Sequence, residues 1–185
     1  MLLVSPFALE VTGWLRGEGY KSRALHVEGA AHLYLVRSAS TSPSPSLLLH
    51  LLSSPRTREA LVPRTSDLSD TFAGNRRRLV HLWEDQWDEH SSIVRSRLLT
   101  MLGRSRRIFA RKCDARRIDS ATLEAFLQRN HLWSATKARY RYGLYDRDEK
   151  VLVAVASFSP RWKLRRDGQT RASHELIRYC SRRLV

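Results

Sequence analysis

The chain has 185 residues, 42% of them hydrophobic and 9% aromatic, which suits one full domain or two small ones and excludes a wholly disordered chain. The formal net charge is +15, unevenly placed: residues 1–75 hold seven Lys/Arg against six Asp/Glu, residues 76–185 hold 26 against 12. Such an excess opposes compaction by self-repulsion, so a polyanionic partner is the economical explanation, nucleic acid before an anionic membrane.

Most of the cations are arginines, and a guanidinium grips phosphate bidentately. The competing explanation is a chain basic by descent or for organelle import. Cys113 and Cys180 stand far apart with no CxxC pairing, which gives neither a disulfide framework nor a zinc ribbon and points to a reducing, intracellular compartment. No run approaches the roughly 18 apolar residues of a membrane span. Met1–Val11 lacks a basic leader and a small-residue cleavage site, and Glu10, Glu18 and Glu28 come too early for a good transit peptide.

In chain order, Phe7, Val11, Trp14 and Leu15 recur at helical spacing and predict a helix over 7–16, closed by Gly17 and Gly19. Ala31–Arg37 reads as a strand. Residues 38–48 are Ser/Pro-rich and low in complexity, a linker or insertion. Leu47–Leu52 reads as a helix fragment ended by Pro55. Residues 55–75 read as loop with some helical character. Leu79–Trp83 is a strand. Asp88 or Ser91 caps a helix over 89–102, with Val94, Leu98, Met101 and Leu102 on one face and Gly103 closing it. Ile108–Ala110 opens a strand. Asp119 or Ser120 caps a helix over 120–129 with Leu123, Phe126 and Leu127 inward. Three strands follow: Tyr140–Tyr145, Val151–Ser159 and Glu175–Cys180. A tight turn at 146–150 makes the first two a hairpin, and 160–170 reads as a basic loop.

Several groups carry candidate chemistry. His81, Glu84 and Asp85 sit at a strand end, where alternation puts His81 and Trp83 on one face and Leu82 and Glu84 on the other. Glu84 and Asp85 suit a divalent metal beside phosphate, with Mg²⁺ the natural ion; equally, they suit the start of the following helix and offset Arg76–Arg78. Asp67 and Asp70 are further carboxylates, and also good caps. His26, His32 and His50 lack ligand spacing and read as structural. His131, after Asn130, is an acid/base candidate. Arg76, Arg77, Arg78, Arg104, Arg106, Arg107, Lys137, Arg139 and Arg141 are the phosphate-contact candidates, and Tyr140 and Tyr142 among them suit base stacking. Ser157, Ser159, His174, Glu175 and Cys180 gather on neighbouring strands, but no Gly-x-Ser-x-Gly elbow supports a triad.

His81-Leu-Trp-Glu-Asp-Gln-Trp, Ile93-Val-Arg-Ser-Arg, Ile108-Phe-Ala-Arg-Lys-Cys, Phe126-Leu-Gln-Arg-Asn-His, Gly143-Leu-Tyr and Glu175-Leu-Ile-Arg-Tyr-Cys occur in one order. Over residues 76–185 this resembles the C-terminal part of phage and bacterial Hef-like homing endonucleases and of plant proteins carrying the same module; the wording favours a plant copy, with chloroplast, mitochondrion or nucleus as its compartment. The resemblance implies an α+β chain. Residues 1–105 would be a degenerate endonuclease-like region similar to very-short-patch-repair nucleases, with 38–75 low-complexity or loop. Residues 106–185 would be an incomplete, antiparallel GNAT-like module.

It also implies a DNA-associated protein with metal-dependent nuclease ancestry. Glu84 and Asp85 would hold the metal, and His81 or His131 would assist proton transfer. The alternatives are an acyl- or acetyltransferase-like protein and a non-catalytic nucleic-acid-binding module. The sequence departs from the resemblance in two places. No PD…(D/E)xK pattern stands in 1–75, and the acetyl-CoA loop expected after Cys180 has no room in the five remaining residues, as in a truncated product or shortened gene model.

Overall fold

The computed structural model describes residues 5–27, 30–39, 45–53, 65–72, 78–133, 137–166 and 168–184. The protein is a mixed α+β chain of two compact units, residues 1–104 and 105–185.

In the first unit, α1 (Pro6–Gly17) starts on Ser5, whose Oγ accepts the Ala8 N–H at 3.1 Å, with Pro6 in the first turn. Its buried stripe is Phe7, Ala8, Val11 and Leu15. Gly19, at φ +86°, turns the chain into β1. The sheet is β1 (Tyr20–Val27), β2 (Ala30–Ser38), β3 (Leu47–Leu52) and β4 (Arg78–Trp83), in that spatial order. The first two pairings are antiparallel. The third is parallel, with α2 (Thr65–Phe72) in the connection. Leu33, Leu35, Leu48 and Leu68 form the core beneath α2, with Phe72 and Leu79 beside them.

The strand Leu47–Leu52 corrects the expected helix fragment. All six residues are buried, the pattern of a strand covered on both faces, which reads in sequence as one apolar run. Burying a leucine is worth roughly 1.5–3 kcal/mol, whereas helix propensities span only about 0.7 kcal/mol per residue, so packing decides.

A second correction concerns α3 (Glu84–Met101), which begins at Glu84 rather than near residue 89. His90 breaks the helical geometry at φ −129° and ψ 29°, so the capping signal read at Asp88 and Ser91 falls on an internal kink. Trp87, 1% exposed, meets Trp14 edge-on at 5.4 Å and donates Nε1–H to Glu10 at 2.7 Å, fastening α3 to α1. The helix ends at Met101 with Leu102 as its C-cap, and Gly103 follows at φ +86°, as expected.

The second unit begins with a 3-10 turn, Ala110–Lys112, where a strand was expected; the strand β5 runs from Cys113 to Arg117. Asp119 caps α4 (Ser120–Asn130) through Oδ1, which accepts the Thr122 N–H at 2.7 Å. The sheet β5, β6 (Tyr140–Asp146), β7 (Leu152–Phe158) and β10 (Leu176–Ser181) is antiparallel throughout, with β10 beside β7. Leu123, Phe126 and Leu127 of α4 pack on Val155 and Cys180. Asn130 ties helix to tail, donating to Phe126 O at 2.8 Å and accepting Arg183 N–H at 3.1 Å.

Between β7 and β10 the expected basic loop is a hairpin, β8 (Trp162–Arg166) and β9 (Gln169–Ser173), forming its own two-stranded sheet. Among the described residues no helix is long and apolar enough to cross a membrane.

Candidate nucleic-acid interface and histidine pair

The parallel pairing of β3 and β4 sets His50 opposite His81. Their Nδ1 atoms lie 3.0 Å apart, with rings at 72° and centroids 5.2 Å apart. His50 is 1% exposed. Ser69 Oγ, from α2, lies 3.1 Å from His81 Nε2. A hydrogen bond between two Nδ1 atoms needs one proton and one lone pair, so the pair holds a single proton between its rings. When His81 donates through Nδ1, its Nε2 accepts from Ser69; in the other tautomer Nε2 donates. The arrangement can therefore pass a proton along Ser69, His81 and His50.

His81 thus meets His50 and Ser69, neither of which was expected as a site residue. The signal for His50 was a lone polar residue inside Leu-Leu-Leu-His-Leu-Leu. Only the strand register, which periodicity does not supply, joins it to His81.

The carboxylates take another place. Glu84 does not lie on the strand opposite His81 but opens α3, and Asp85 Oδ1 accepts the Gln86 N–H at 2.8 Å. Both charges sit at the positive end of the helix dipole. Among the described residues no three His, Cys, Asp or Glu side chains gather into a metal-sized group. His131 belongs to the second unit. Its Nδ1 closes a local turn with the Trp133 N–H at 2.9 Å. Arg76, Arg77 and the Asp67 side chain lie outside the described residues.

The expected phosphate clamps divide into two groups. Arg104 pairs with Glu18. Arg106 pairs with Glu149 and lies 3.7 Å from Asp146; the hydrogen bond that Arg106 donates to the Glu149 carboxylate raises the Arg106 pKa above its ordinary value. These two are held by the protein's own carboxylates. Arg141 donates to Ala138 O at 2.7 Å. Arg78, Lys137 and Arg139 are exposed. Arg107 lies over Phe109 at 5.1 Å, and Arg111 lies over the same ring at 5.0 Å.

The hairpin adds a surface that the clamp assignment omitted. Residues 161–173 contain five Lys/Arg and one Asp. Every side chain described in β8 and β9 is exposed, including Trp162 at 62% and Leu164 at 55%. Cross-strand register puts Trp162 opposite Ser173 and Leu164 opposite Arg171 on one face, with Lys163 and Arg165 on the other. The signal was present in the sequence: Trp162 and Leu164 alternate with Lys163 and Arg165, and Gly168, at φ +74°, stands at the turn. No family model, curated protein or solved structure matches the chain.

Proposed function

We propose that the protein is a DNA-associated protein of homing-endonuclease descent, acting by binding, with a nuclease-like first unit and a GNAT-like second unit. One observation carries the binding reading: an exposed, isolated β-ribbon that carries Trp162 and Arg171 on one face and Lys163 and Arg165 on the other. Two-stranded ribbons are marginal alone in water, exposed aromatics offer faces for bases, and the cations offset phosphate. The four-stranded antiparallel sheet with β10 as its fourth strand in chain order supports the GNAT-like reading of the second unit.

The test is affinity for single-stranded and duplex oligonucleotides. Trp162→Ala should weaken binding roughly ten- to a hundredfold, the range for one stacked base. Unchanged affinity would remove the hairpin from the interface.

The histidine pair favours a second reading, hydrolysis of phosphodiesters, with His81 moving the proton; a divalent ion such as Mg²⁺ would polarise the phosphate, and Glu84 and Asp85, at the start of α3, are the carboxylates that would hold it. Nicking of plasmid DNA with Mg²⁺ or Mn²⁺ should then vanish in His81→Ala. Nicking that survives that substitution assigns the proton transfer elsewhere.

A further inference from the structure

The first unit carries a separate concentration of positive charge that the near-neutral balance of residues 1–75 conceals. An open basin of about 670 Å³ is lined by Arg16, Lys21, Arg23 and Arg37 over Tyr20, Ser22 and Leu35. The volume lies within the range of small-ligand sites. Tyr20 and Leu35 are buried, and the four cations are exposed. Arg16 comes from the last turn of α1. The other three come from one face of the β1–β2 pair, where Lys21 stands opposite Arg37 and Arg23 opposite Leu35.

Like charges directly opposite on an antiparallel pair destabilise it, and here none of the four cations forms an ion pair among the described residues. Folding alone gains nothing from such a cluster. A ligand with several negative charges offsets it, and three guanidinium groups favour phosphate oxygens. A single carboxylate carries too little charge to balance four cations.

We infer that this basin binds a polyanionic phosphate chain, either the backbone of a nucleic acid or a free polyphosphate. The inference concerns the first unit and does not depend on the hairpin.

The experiment uses the full chain and the variant Lys21→Ala/Arg37→Ala. Inorganic pyrophosphate should raise the thermal midpoint of the wild type and leave that of the variant unmoved. Without the anion, the variant should melt at or above the wild type, because a like-charge pair has gone; that readout separates lost binding from lost folding. A duplex titration against salt identifies the source. If the slope of log K on log[salt] becomes shallower by about two in the variant, the ligand is nucleic-acid backbone. If only the pyrophosphate effect disappears, it is free polyphosphate. An equal pyrophosphate response in both proteins, or none in the wild type, overturns the proposal. Absence of DNA binding by the wild type would instead count against the function proposed above.

Discussion

At the scale of single residues, Asp119 shows how one side chain both starts a helix and titrates. Its carboxyl is held below the usual carboxylate range, first by the Thr122 N–H, then by the Thr122 hydroxyl, with a smaller contribution from the Arg141 charge; desolvation opposes them. A carboxyl whose folded pKa is depressed contributes stability above its unfolded pKa, about 3.9 for Asp, and loses it as pH falls through the lower folded value. Asn caps nearly as well but does not titrate in this range. Asp119→Asn should therefore stay close to wild type at pH 7 and lose less stability than wild type between pH 5 and pH 2, whereas Asp119→Ala should be weaker already at pH 7. Denaturant midpoints across that range check this; a pH-independent difference between wild type and Asp119→Asn would contradict it. Asp119 was legible as a cap because its partner lies three residues away. The histidine pair was not legible, because its partners lie 31 residues apart and meet only through strand register.

At the scale of elements, the helix at 6–17 followed from apolar periodicity and the glycines that close it, and the helix at 120–130 from periodicity and a cap, all local properties. The strand Leu47–Leu52 did not, since six buried residues in a row leave no alternation to distinguish strand from helix. The hairpin β8–β9 was hidden by its charge: five cations in thirteen residues resemble solvated loop, although period-two alternation runs beneath them. Gly143 shows how closely the elements of the second unit pack. A Cβ there would stand 2.7 Å from Leu152 Cδ1 and 2.9 Å from Ile118 Cγ2, on a strand between β5 and β7. Gly143→Ala forces both side chains aside and should cost about 1–3 kcal/mol, read as a lower urea midpoint. An unchanged midpoint would show that Leu152 and Ile118 move at no cost.

At the scale of the whole molecule, the charge asymmetry along the sequence understates how the cations are arranged. In the second unit several arginines are engaged by the protein itself, Arg106 on Glu149 and Asp146 and Arg147 on Asp114, so the surplus falls on the hairpin and on exposed residues such as Lys137 and Arg139. In the first unit, residues 1–75, near neutral in sequence, still gather four cations around one basin. Net charge alone gives neither arrangement, because ion pairing and strand register decide which charges remain available.

The most direct test of nucleic-acid binding is the salt dependence of duplex affinity, in wild type and in Lys163→Ala/Arg165→Ala. Each neutralised phosphate contributes about −0.9 to the slope of log K on log[salt]. The expected wild-type slope is steeper than about −4, and the variant's should be shallower by about two, with folding unchanged. A wild-type affinity indifferent to salt, or a slope identical in the two proteins, would contradict the account.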